Sequence, residues 1–172
     1  MIDQGTYVEH DGRPAVRFTR RYPHPAERVW AAVSEPAGLR HWFPSRVELE
    51  PRVGGRIAFR DDPNLPEETS GTILAYDPPR QLAFTWGGDE LHLTVEPDGE
   101  GAVLTLLNVL EARDTAARNA AGWTVCLAEL GKHLRGDPGD GPHSAAAESW
   151  AEHYAAYVAA GVPYGAPIPS PS

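Results

Sequence analysis

Between Asp114 and Arg135 the sequence DTAARNAAGWTVCLAELGKHLR sets Ala116, Ala120, Trp123, Leu127, Leu130 and Leu134 at three- and four-residue steps. That spacing lays one apolar stripe along a helix. Arg113, Arg118 and Glu129 fall off the stripe, where side chains are expected to face solvent. Asp114 is placed to cap the start, and Gly136-Asp137-Pro138 stops the run. No upstream segment reads as a helix of comparable length. Before it come six to seven short β-type runs, which alone would leave one face of a sheet uncovered. The pattern therefore predicts an α+β fold, a curved antiparallel sheet of six to seven strands wrapped around one long helix, with an apolar space between them.

The order of the remaining elements fits that arrangement. Thr6 to Glu9 and Ala15 to Tyr22 are β-type runs on either side of Asp11-Gly12, which supplies the positive φ of a tight hairpin. Pro25 suits a first helical turn, and AERVWAAV follows with Val29, Trp30 and Val33 on one side. Pro36 breaks that helix, and a second short one, AGLRHW, ends before Pro44. These two helices are expected to plug one end of the sheet. Then come Arg46 to Glu50, RIAFR after Gly54-Gly55, the polar loop DDPNLPEETS, GTILAYD, QLAFTW, LHLTVEP and AVLTLLNVL. Their short turns predict antiparallel pairing, since parallel strands need long crossovers. After Gly136 a Gly/Pro-rich break leads to a further predicted helix, SAAAESWAEHYAAYVAAG, with Trp150, Tyr154, Tyr157 and Val158 on one side. Beyond Gly161 the chain is Pro-rich.

Strand parity decides which side chains face the long helix. Ile57 and Phe59 face it, as do Leu82, Phe84 and Trp86 in the next apolar strand. Leu91, Leu93 and Val95 follow, with His92, Thr94 and Glu96 outside. Placing Thr105 outside leaves Leu104, Leu106 and Asn108 inside. The inner face is almost wholly apolar, with Asn108 its clearest polar exception.

Composition narrows the function classes. A formal charge of −9 argues against nucleic acid and anionic membrane surfaces as partners. No run approaches the roughly 18 apolar residues of a membrane helix. The start, MIDQGTYVEHDGRP, lacks the apolar core of a signal peptide, and a single cysteine fits a reducing compartment, so a cytoplasmic location is expected. The seven histidines are scattered without ligand spacing, so no metal and no cofactor is expected. No GxSxG or paired Ser/His suggests covalent catalysis.

Four stretches in order resemble a known family: RRYPHPAERVWAAVSEPAGLRHWFP from Arg20 to Pro44, VGGRIAF from Val53, GTILAYDPPRQLAFTW from Gly71 to Trp86, and AAGWTVCLAEL from Ala120. Together they resemble the START-like, helix-grip (SRPBCC) superfamily, in the branch named for the activator of the ninety-kilodalton heat-shock protein ATPase. The resemblance implies a helix-grip domain over residues 1–136 and an extension over 137–172, packed on the domain or on a dimer partner. It also implies a cavity between sheet and helix that takes a small hydrophobic or amphipathic ligand, in a monomer or homodimer.

On that reading Ile57, Phe59, Phe84, Trp86, Leu93, Leu106, Asn108, Trp123 and Leu127 line the pocket, with His41, Trp42 and Phe43 at its mouth. The same aromatic residues also suit a filled core. Asn108 either orients a ligand or makes a structural hydrogen bond, because an unpaired buried amide costs about 1–3 kcal/mol. Cys126 reads as a small buried hydrophobe. Asp61, Asp62, Glu67, Glu68 and Asp89 read as solvated loop carboxylates. Two other classes follow from the resemblance: an enzyme of the polyketide aromatase/cyclase or hydrolase type, in which Asn108, His41 or a mouth carboxylate acts on bound substrate, and a chaperone-linked interaction module.

Overall fold

The computed structural model describes residues 5–62, 68–137, 140–144 and 147–168. Its strands are β1 (Thr6–His10), β2 (Arg13–Tyr22), β3 (Arg46–Leu49), β4 (Arg56–Arg60), β5 (Thr69–Asp77), β6 (Gln81–Trp86), β7 (Asp89–Asp98) and β8 (Gly101–Val109). They form one antiparallel sheet in the order β1-β2-β8-β7-β6-β5-β4-β3. Six strands thus follow as a meander, after which β2 docks on β8 and β1 folds back on β2. Eight strands stand where six to seven were expected. Both short edge strands, β1 and β3, are fully laddered to their neighbours. Both coincide with runs read from the sequence, Thr6 to Glu9 and Arg46 to Glu50.

The first hairpin turns at Asp11 (φ 49°) and Gly12 (φ 79°), the two positive-φ positions that a two-residue turn with matching twist demands. Between β2 and β3 lie α1 (Ala26–Ser34) and α2 (Pro36–Leu39). Pro25 precedes the first helical residue, and its carbonyl accepts from Arg28 and Val29 N–H. Val29 and Val33 are fully buried, and Trp30 packs at 6.2 Å from Tyr76.

The long helix α3 (Ala116–Arg135) crosses the inner face. A 3₁₀ turn at Arg113–Thr115 leads into it, and Asp114 makes no side-chain cap. The C-terminal chain takes that role. Pro163 C=O accepts from Ala117 N–H, and Ala166 N–H donates back to Asp114 C=O. At the far end Gly136 adopts φ 79°, and the N–H groups of Gly136 and Asp137 close onto the carbonyls of His133 and Lys132.

The helix α4 (Trp150–Ala159) packs along α3. It starts later than the expected Ser144. Ser149 is the cap, its hydroxyl accepting from Glu152 N–H, while 145–146 lie outside the described residues. Tyr157 is buried, with its hydroxyl accepting from Gly5 N–H at 2.8 Å and sharing a 2.7 Å bond with Thr124 Oγ1. This explains why α3 is buried well beyond one stripe. Ala117, Ala121, Thr124 and Val125 are covered as well as the sheet-facing set. Trp150 and Tyr154 stack at 4.9 Å beside this seam. Glu129, expected in solvent, is also buried. Its carboxylate accepts from Gly141 N–H at 3.1 Å and pairs with Lys132 at 2.6 Å, because the chain after α3 folds back over it.

Candidate aromatic site between the sheet and the long helix

Register fixes the floor of the site. β8 pairs Leu106 with Leu93 of β7, and Asn108 with Leu91, so all four side chains point to the same face. β6 brings Leu82 and Phe84 onto that face opposite Leu93 and Leu91, and β4 brings Ile57 and Phe59. All are buried. From above, α3 lowers Trp123 and Leu127, and Phe43 enters from the segment after α2.

The aromatic members meet as one cluster. Phe43 lies 6.0 Å from Phe59, 6.3 Å from Phe84, 5.9 Å from Trp86 and 5.7 Å from Trp123. Trp86 and Trp123 are 5.3 Å apart in a tilted arrangement. Such contacts are each worth about 0.5–1.5 kcal/mol beyond simple burial. Of these rings only Trp86 is half-buried. It ends β6 and precedes Gly87-Gly88, so it forms the solvent edge of the cluster.

Asn108 is buried and fully engaged. Its Nδ2 donates to Asp89 Oδ2 at 3.0 Å and lies near the carbonyls of Glu90 and Val109. Its Oδ1 accepts from Trp123 Nε1 at 3.0 Å and from Asn119 Nδ2 at 3.1 Å. Asp89 also accepts from Asn119 and from the backbone N–H of Glu111. The carboxylate expected in a solvated turn is therefore the keystone of a half-buried network. Sequence parity located Asn108 but not Asp89, whose partners come from β8 and α3. A carboxylate opening β7, on the same face as Leu91 two residues on, which pairs with Asn108 of β8, is the signal that was available.

The three residues expected at the mouth separate. Trp42 is fully buried and donates its indole N–H to Ala32 C=O at 2.9 Å, tying the end of α2 to α1. Phe43 joins the aromatic cluster. His41 alone reaches solvent, and it stacks on His133 of α3 at 4.1 Å. Burial, then the nearby His41 and Arg28, hold the His133 pKa below the ordinary imidazole value. The unfolded chain therefore takes up that proton at higher pH than the folded one. The stability contributed by neutral His133 is intact above about pH 6.5 and declines as pH falls towards the lower folded value. Ring-proton NMR is expected to show His133 titrating below pH 6.5, and His133→Gln is expected to flatten the fall in stability between neutral and mildly acid pH.

Cys126 is buried in α3. Burial pushes its thiol pKa up, with the carboxylates of Asp62 and Glu129 adding to the effect. A protonated, enclosed thiol is a poor nucleophile. We expect a maleimide to leave the native protein unlabelled and to modify it once in denaturant, with the mass read directly. Asp62 is itself not solvated. Its side chain is 8% exposed, beside Ser45 Oγ at 3.4 Å and His143 at 3.9 Å. Asp61 is exposed as expected, Glu68 pairs with Arg60 at 3.2 Å, and Glu67 lies outside the described residues.

Two concavities open elsewhere. One, of about 410 Å³, lies between Arg113-Asp114 and the segment Gly161 to Tyr164. The other, of about 260 Å³, is on the outer face of the sheet. Among the described residues no group of three or more His, Cys, Asp or Glu is placed to hold a metal ion, and no helix is long and apolar enough to cross a membrane.

Comparison with known proteins agrees with this architecture. The crystal structure of CalU16 from Micromonospora echinospora is 24% identical, with a TM-score of 0.71 over 92% of this chain and 98% of that one. EF2215 from Enterococcus faecalis, described as a conserved protein of unknown function, is 20% identical, with a TM-score of 0.71 over 91% and 89%. DynU16, described as belonging to the dynemicin biosynthetic locus, is 22% identical, with a TM-score of 0.62 over 72% of this chain and 48% of that one. These likenesses establish the helix-grip fold. No curated protein matches the chain by sequence. The family model described as Activator of Hsp90 ATPase homolog 1-like protein matches residues 23–135, from just after β2 to the end of α3, and the chain belongs to that family.

Proposed function

We propose that the protein binds a small hydrophobic or amphipathic molecule, without covalent chemistry, between the inner face of the sheet and α3. The observation that carries this reading is the continuous aromatic cluster of Phe43, Phe59, Phe84, Trp86 and Trp123, whose one half-buried ring stands beside a Gly-Gly turn. Ile57, Leu93, Leu106 and Leu127 complete an apolar lining. The rings occupy one another's faces, so a ligand replaces ring–ring contacts with ring–ligand contacts. Trp86, half-buried at the edge of the cluster, is the ring expected to turn aside. Affinity comes from apolar burial, at about 25 cal/mol per Å².

Asn108 supports binding over acid–base chemistry. Both ends of its amide are spent on Asp89, Asn119 and Trp123, so its role is to hold the Trp123 ring that the ligand meets. The extension over 137–172 packs on α3 through the buried Tyr157, which favours packing on its own domain over packing on a dimer partner.

The test is a melting screen against a panel of neutral and amphipathic aromatic and aliphatic compounds. A ligand at a hundred times its dissociation constant is expected to add about 2.7 kcal/mol of stability. Trp86→Ala is expected to change the rank order of the ligands that raise the melt, since it removes the movable ring. A panel in which no compound raises the melt would count against the proposal.

A further inference from the structure

The concavity on the outer face of the sheet lies apart from the aromatic cluster. The tip of the β1–β2 hairpin runs past the end of β8 and folds over this face. Arg13 reaches Glu90 on β7 at 2.7 Å, and the rings of His10 and His92 stand 5.8 Å apart. The groove under this arm, of about 260 Å³, has a floor set by register. Thr105 of β8 sits opposite Thr94 of β7, which sits opposite Gln81 of β6, while Leu107 lies between Arg17 and His92. An outward strand face ordinarily spends such groups on cross-strand pairs or bulk water. Here the side chains of Arg17, Gln81, Thr94 and Thr105 have no hydrogen-bond or ion-pair partner among the described residues, and the last three are half-buried.

The lining is rich in donors. Arg17 offers a guanidinium, Gln81 an amide and the two threonines hydroxyls, with Leu107 and Val8 supplying an apolar patch beside them. The neighbouring carboxylates do not cancel this. Glu90 is engaged by Arg13 and by His92 at 3.0 Å, and Glu9 stands exposed at the rim. We propose that this groove binds a small carboxylate with a short apolar body, its carboxylate on Arg17 and the threonine hydroxyls, its body over Leu107 and Val8. The groove, at about 260 Å³, has room for one ring bearing a carboxylate. Benzoate fits within that space.

Benzoate is therefore the probe, with benzamide as its neutral counterpart, read by NMR on the full chain. Benzoate is expected to shift the amides of Thr94 and Thr105 and the His92 ring saturably, with a dissociation constant on the order of 1 mM. The indole signals of Trp86 and Trp123 are expected to stay in place, which separates this site from the interior one. Arg17→Leu, on an exposed strand position, is expected to keep a dispersed spectrum and to weaken benzoate by about tenfold or more. Should that variant unfold, Thr94→Val serves in its place, with weaker benzoate binding expected. Absence of saturable shifts, equal affinity for benzamide, shifts confined to Trp86 and Trp123, or a folded Arg17→Leu that binds benzoate unchanged would each overturn the proposal.

Discussion

Replacing Trp123 by alanine is expected to destabilise the protein by about 3–5 kcal/mol, measured as a shift of the urea midpoint at unchanged slope. Trp123 is 2% exposed and stands where three parts of the fold meet. Its ring packs on Phe43 and Trp86, and its indole N–H donates to Asn108. Truncation removes the ring contacts and leaves a cavity that the curved sheet cannot collapse to fill. It also deprives Asn108 Oδ1 of one of two donors. Trp123→Phe retains most of the ring but not the donor, so it is expected to cost less than half as much. If the two variants cost the same, the cluster would not be the centre of the core.

The second large effect is expected from Asn108→Leu, a change of similar volume on a buried face. Removing the amide strands the Trp123 indole donor and takes a partner from Asp89 Oδ2 and Asn119 Nδ2. A stranded buried donor costs about 1–3 kcal/mol, and the other two groups are only half-buried, so a total of about 2–4 kcal/mol is expected. A nuclear signal gives an independent readout. The Trp123 Nε1–H resonance is expected to move while that of Trp42, bonded to Ala32 C=O, stays in place. An apolar leucine that proves neutral or stabilising would mean that the network is dispensable and that β8 and α3 are held by packing alone.

The parts of this fold that could be read from sequence are those where one period dominates. Strand alternation placed Leu91, Leu93, Val95, Leu104, Leu106 and Asn108 on the buried face, and the structure buries all six. Gly136 ended α3 where its positive φ was needed. Errors arose where burial depends on a distant segment. Glu129 lies off the apolar stripe, yet Gly141 folds back over it. Asp62 sits in a polar loop, yet Ser45 and His143 enclose it. Asp114 has the chemistry of a cap, but the first free N–H of α3 is satisfied by Pro163, some fifty residues on. Periodicity describes what one element offers. It carries no information about which later segment accepts the offer.

The most direct test of the interior binding reading uses the tryptophans as reporters, at positions 30, 42, 86, 123 and 150. Two-dimensional NMR of their indole N–H groups would be followed while titrating a hydrophobic compound that raises the melt. Saturable shifts are expected at Trp86 and Trp123, with Trp42 and Trp150 unmoved. Shifts confined to Trp150, or a raised melt with Trp86 and Trp123 unchanged, would contradict that reading and move the ligand outside the space between sheet and helix.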